Sequence, residues 1–141
     1  MSQENINTAR ALHHAFAEKN LAQAASLVDD AFEWKIVAFG MTLNGQEGFR
    51  QGFENFASPF PDSRLDYKNV LDNGEQVVVE YDFVGTHNGT LQTPLGPVSA
   101  TGRPIHLAGI EVFRLRGGKI ISLRTYFDSA TLMAQLGLMS Q

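Results

Sequence analysis

The sequence contains no cysteine. That removes disulfides, thiolate nucleophiles and zinc or iron–sulfur sites built on sulfur. It is short of positive charge: 11 Lys and Arg stand against 15 Asp and Glu, for a net charge of -4 and a pI near 5.5. A nucleic-acid partner needs a basic face, so none is expected. No apolar run approaches the roughly 20 residues of a membrane span. The opening MSQENINTAR is polar and lacks the apolar core of a signal peptide, which makes the cytoplasm the expected compartment. A P-loop, a G-x-S-x-G elbow and a dinucleotide fingerprint are all missing; Gly45, Gly48 and Gly52 do not form G-x-G-x-x-G. The four histidines offer neither HxH nor HxxxH spacing, and His13 and His14 point about 100° apart on a helix, so no metal site is expected.

What is present describes one ordinary globular domain over residues 1–141, with 43% hydrophobic and 18% charged residues. Ile6, Ala9, Leu12, His13 and Phe16 recur at helical spacing and predict a helix over 4–19. Asn20 with Gln23 reads as a capping box opening a second helix over about 21–29. The β-branched and aromatic stretch 31–39 predicts a strand ended by Gly40. Asn44 with Glu47 predicts another capped helix, carrying Phe49, Phe53, Phe56 and Phe60 as a core stripe and closed by Pro59 and Pro61. From residue 64 the chain reads as β, with strands over 64–71, 75–87, 104–116 and 119–127. Asp72-Asn73-Gly74 and Gly117-Gly118 make the tight turns. A long loop fills 88–102, and a short helix follows the last strand. Helices first and a mostly antiparallel sheet after them give an α+β fold, in which a curved sheet wraps the third helix and leaves a cavity for a small ligand.

Several strands are apolar on both parities. Ile110 and Val112 oppose Ile105, Leu107 and Phe113; Tyr126 opposes Leu123 and Phe127. A one-sided sheet alternates apolar with polar, so the outer face is expected to be covered by a second copy in a homodimer.

Asp128 stands where the last strand gives way to the helix. Two readings are open: a helix cap, which lowers a carboxyl pKa, or a general base in an apolar cavity, where desolvation raises it. His87 follows the inward parity of Val77, Val79, Tyr81 and Phe83, and is either satisfied structurally or an aid to orienting a carbonyl. Glu111 shares its parity with Leu107 and Phe113. An inward acid is costly unless paired, and Arg103, Arg114 and Arg124 are the candidate partners. Trp34, Phe53, Tyr81, Phe83, Arg103, Glu111 and Tyr126 make up the expected substrate wall.

Taken together, Val84-Gly85-Thr86-His87-Asn88-Gly89, Gly102-Arg103, Gly109-Ile110-Glu111-Val112-Phe113-Arg114, Gly118-Lys119-Ile120 and Tyr126-Phe127-Asp128 resemble the SnoaL-like polyketide cyclase family of the nuclear-transport-factor-2-like superfamily. The resemblance covers nearly the whole chain. It implies a cone of helices and curved sheet around a deep pocket, in a protein commonly dimeric or tetrameric. It also implies an aldol-type ring closure on a small carbonyl compound, with no metal or organic cofactor. Asp128 matches the acid/base of those cyclases, and His87 the histidine near the pocket, where it would steady an enolate oxygen. The sequence departs from the pattern at Leu123-Arg124, where many members carry His-Trp, and at Gly117, where an acid is common. Two alternatives follow. One is epoxide hydrolysis, which needs Arg103 or Arg124 and a second acid such as Glu111 to converge on Asp128. The other is a non-catalytic ligand-binding or dimerisation module.

Overall fold

The computed structural model describes residues 2–139. α1 (Ser2–Ala17) buries Ala9, Leu12, His13 and Ala15 along one face. Asn20 caps α2 (Leu21–Ala25), its Oδ1 accepting from the Gln23 N–H at 3.1 Å. The second helix is shorter than its sequence pattern, because Val28 already pairs with Ile120 in the sheet. A β-branched residue packs better on a pleated surface than in a helix end. β1 (Val28–Ile36) therefore begins three residues before the expected strand. It ends in a single 3-10 turn at Val37–Phe39. Gly40, at a φ of 64°, then reverses the chain into β2 (Met41–Asn44), a strand that pairs antiparallel with β1 and was not legible from its four residues.

α3 (Gly45–Ala57) starts at Asn44, but no side chain closes the expected box. Glu47 instead engages Arg50 on the solvent side. Gly48 and Gly52 are buried where α3 lies against β1 and β2; an added Cβ at Gly52 would stand 2.5 Å from Cζ3 of Trp34. That close approach is what their lack of a side chain permits.

β3 (Arg64–Asp72), β4 (Gln76–Thr86), β7 (Pro104–Arg116) and β8 (Lys119–Phe127) fall where the sequence placed them. The expected 88–102 loop contains a two-stranded hairpin, β5 (Leu91–Thr93) and β6 (Gly96–Val98). α4 (Ser129–Gln135) closes the fold. The main sheet has the order β2-β1-β8-β7-β4-β3, antiparallel throughout except for the parallel β1–β8 pair. This is the α+β, nuclear-transport-factor-2-like architecture. Bulges interrupt β1, β3 and the β7–β8 ladder. Bulges increase local twist and bend. The one after Tyr67 keeps Leu65, Tyr67 and Val70 on the inner side.

Candidate active site

Between the inner face of the sheet and helices α1 and α3 lies a cavity of about 80 Å³. A water needs roughly 10–15 Å³ by the same measure. Its wall is overwhelmingly apolar and aromatic, with phenylalanines from α1, α3, β4 and β8 around Trp34 of β1 and Tyr81 of β4. Phe16, Phe56, Phe83 and Phe127 are only half-buried, which places the wall's more open parts at those rings. The four-residue Phe stripe of α3 and Phe60 thus shapes a cavity as well as a core.

One acid interrupts this wall. Glu111 follows the inward parity of β7 and is 7% exposed. None of the expected arginines meets it. Its Oε1 lies 2.5 Å from Nε2 of His13, a buried residue of α1, and its Oε2 accepts from Thr125 Oγ1 at 2.6 Å. Trp34 Nε1, which can only donate, bonds Thr125 Oγ1 at 2.9 Å. The threonine hydroxyl must therefore spend its own hydrogen on Glu111. On the other side His13 Nδ1 bonds the Tyr67 hydroxyl. Burial, then the Glu111 charge, holds that phenol well above its ordinary pKa, so it keeps its hydrogen and has it to donate to Nδ1. With Nδ1 accepting, His13 carries its hydrogen on Nε2 and presents it to Glu111, a tautomer assigned from its partners. One chain of hydrogen bonds, Tyr67 to His13 to Glu111 and Trp34 to Thr125 to Glu111, converges on a single carboxyl group. Both oxygens are satisfied, and that is what makes an acid tolerable in an aromatic wall. Arg10 lies over the outer face of the Tyr67 ring, 4.9 Å from its centroid.

Of the residues expected in the substrate wall, Trp34, Phe53, Tyr81, Phe83 and Glu111 line the cavity. His13, Thr125 and Tyr67 were not foreseen as its partners. A signal for His13 existed, since it sits on the apolar stripe of α1, where a histidine must find a partner or stay neutral.

The two residues expected to do the chemistry are not in the wall. Asp128 is exposed. Its Oδ1 accepts from the N–H groups of Ala130 and Thr131 and its Oδ2 from the Thr131 hydroxyl, so it caps α4. Those bonds, the Thr131 hydroxyl foremost, hold its pKa below the usual carboxylate value. The reason is alternation: Leu123, Thr125 and Phe127 face the cavity, and the next residue faces away. His87 is wholly buried behind Phe60, whose ring centroid is 5.5 Å from its own. Its Nδ1 accepts from the Thr101 N–H at 3.1 Å, and its Nε2 has no hydrogen-bond partner among the described residues. Burial pushes its pKa down.

Tyr126 and Arg124 lie on the sheet's outer side, where Arg124 Nε donates to the Tyr126 hydroxyl at 3.2 Å. Arg103 is exposed, its guanidinium beside Gly137 at the end of α4. The arginine-bridged pair of acids that epoxide hydrolysis needs is therefore not assembled: Asp128 and Glu111 have different neighbours, and no arginine joins them. Among the described residues there is no cluster of three or more His, Asp or Glu side chains placed to hold a metal ion, and no helix long and apolar enough to cross a membrane.

The SnoaL-like polyketide cyclase family profile matches residues 6–136. The chain belongs to that family. Solved SnoaL-like structures share its fold. A protein from Jannaschia sp. CCS1 described as a SnoaL-like polyketide cyclase superposes with a TM-score of 0.86 at 19% identity, covering 99% of this chain and 95% of the other. One from Xanthomonas campestris pv. campestris, described as a polyketide cyclase, gives 0.82 at 21% identity over 96% and 98%. AclR of Streptomyces galilaeus, described as a hydroxylase, gives 0.83 at 16% identity over 99% and 100%. At such identities the likeness speaks for the fold alone. No curated protein matches the chain. Within this SnoaL-like chain, then, Asp128 is a helix cap, and the carboxyl group in the cavity wall is Glu111.

Proposed function

We propose that this SnoaL-like protein is an acid/base enzyme acting on a small, largely apolar carbonyl compound, by aldol-type ring closure or isomerisation. One observation carries the reading: a lone carboxyl group, oriented by His13 and Thr125, in the wall of an aromatic cavity. Glu111 takes a proton from the carbon beside the substrate carbonyl and returns it to the alkoxide or to a second carbon. The aromatic wall holds the apolar frame and keeps water from competing for the proton. His13 steadies Oε1 by donating through Nε2.

The test is exchange of the α-hydrogens of cyclohexanone in D2O, followed by proton NMR. Wild-type protein accelerates exchange, Glu111→Gln lowers the acceleration by about 10²–10⁴-fold, and Asp128→Asn leaves it within a factor of about three. Loss in Asp128→Asn with retention in Glu111→Gln transfers the base to Asp128, as the family pattern implies. No acceleration by the wild type, with this or larger cyclic ketones, leaves the binding-module reading in place.

We also propose a homodimer through the outer sheet face. Ile110 and Tyr126 are cross-strand partners there, each 38% exposed. A monomeric mass by light scattering at micromolar concentration refutes it.

A further inference from the structure

Tyr81 lines the cavity and is 94% buried at its 6% exposure, yet its hydroxyl has no hydrogen-bond partner among the described residues. Other polar groups around it are all spoken for: Tyr67, His13, Glu111, Thr125 and Trp34 bond one another. The Tyr81 oxygen is not among the fully buried side-chain atoms left without a partner, so it keeps accessible surface and a ligand in the cavity can reach it. The fold makes room for this one. Tyr81 on β4 pairs with Gly109 on β7, and a Cβ at Gly109 would fall 2.8 Å from Tyr81 Cζ and 2.9 Å from its hydroxyl. The phenol therefore lies across a strand that has no side chain beneath it. Two residues further along β7, on the same face, stands Glu111, about 7 Å away at the backbone. The His13 ring is 5.7 Å from the Tyr81 ring, centroid to centroid. One free donor and one carboxylate thus share a small aromatic cavity.

We propose that Tyr81 is a catalytic residue, whose hydroxyl donates a hydrogen bond to the substrate's carbonyl oxygen while Glu111 acts on the neighbouring carbon. The ligand class is then an enolisable ketone, and the tightest binders are planar rings bearing one oxyanion. This rests on the acid/base reading of Glu111. The step balances as follows: Glu111 takes the proton of the α C–H bond, that electron pair becomes the C=C bond of the enolate, and the carbonyl π pair moves to oxygen. Tyr81 keeps its hydrogen throughout. Burial, and after it the Glu111 charge, holds its phenol well above the ordinary pKa, so it remains a donor at any working pH. A donor held in an apolar wall before the charge develops is the arrangement that lowers the cost of forming an oxyanion.

The test uses two single-ring probes of one shape, 4-nitrophenol and 4-nitrotoluene, the second carrying methyl in place of the oxygen. Their dissociation constants are measured by calorimetry on wild type, Tyr81→Phe and Gly109→Ala. Tyr81→Phe keeps the ring and is expected to weaken 4-nitrophenol by roughly 10- to 100-fold, with 4-nitrotoluene unchanged within about threefold. Gly109→Ala keeps the phenol but displaces it, and is expected to produce the same oxygen-selective loss at smaller size; it also serves if Tyr81→Phe does not fold. A fall for both probes alike assigns Tyr81 to packing and overturns the proposal, as does no fall for either. If wild type binds neither probe, the ligand-cavity reading beneath the proposal is the one that fails.

Discussion

Gly52→Ala sets two well-known effects against each other. Gly52 lies inside α3, and alanine there gains about 1 kcal/mol of helix propensity. The new methyl, however, would meet Trp34 Cζ3 at 2.5 Å, Cε3 at 2.7 Å and Leu43 Cδ1 at 3.0 Å. Carbon contacts settle at about 3.5–4.0 Å, so the indole must retreat by about 1 Å. It has little room to do so. Phe32, Phe49 and Phe56 pack around it, and its Nε1 is tied to Thr125. Overpacking of this kind costs about 1–3 kcal/mol, and stretching a buried hydrogen bond adds about 1 kcal/mol. The net is a loss of about 1–3 kcal/mol. For a domain of this size that lowers Tm by about 3–10 °C. Thermal denaturation followed by circular dichroism reads it directly, with exposed Gln51→Ala on the same helix as the propensity control. The variant should also lose cyclohexanone exchange activity, because moving Trp34 withdraws the donor that orients Thr125 toward Glu111. A Tm equal to or above wild type refutes the reasoning: the indole would then be free to shift, and the Trp34–Thr125–Glu111 chain would not be rigid.

Thr125→Val keeps shape and removes the hydroxyl. It leaves Trp34 Nε1 without an acceptor and Glu111 Oε2 without its donor, and urea denaturation should show a loss of about 2–3 kcal/mol. His87 makes stability fall in acid. Its folded pKa is depressed, so the unfolded chain binds the proton more readily; the stabilisation is complete above about pH 6.5 and is lost as the pH falls from there toward the lower folded value. Urea midpoints compared at pH 7.5 and 5.5 should therefore show a smaller difference in His87→Gln than in wild type, and an unchanged difference refutes the assignment. Asp128→Ala removes the side-chain N-cap of α4 and should lower Tm modestly, by less than Gly52→Ala, while Asp128→Asn should stay close to wild type.

The sequence alone determined the elements whose causes are local. Asp72-Asn73-Gly74 and Gly117-Gly118 force tight turns whatever lies beyond them, so the four long strands fell where their alternation and turns put them. Strand parity is equally local. It placed Glu111 inward beside Leu107 and Phe113, but it did not decide Asp128, which the resemblance put forward as the acid/base and which caps α4 instead. The tertiary structure decided what depends on distant chain. β1 joins the sheet through a parallel pairing with β8, across more than eighty residues of sequence, and this claimed Val28 from a helical pattern. His13 and Glu111 are separated by 98 positions, and nothing in either neighbourhood names the other. A carboxylate's surroundings set its chemistry, and surroundings are long-range. Asp128 meets the amides of the helix it begins, whereas Glu111 meets an imidazole, a threonine and an aromatic wall assembled from five strands and three helices. Side-chain identity supplied two candidate acids; only packing distinguished the cap from the group in the cavity.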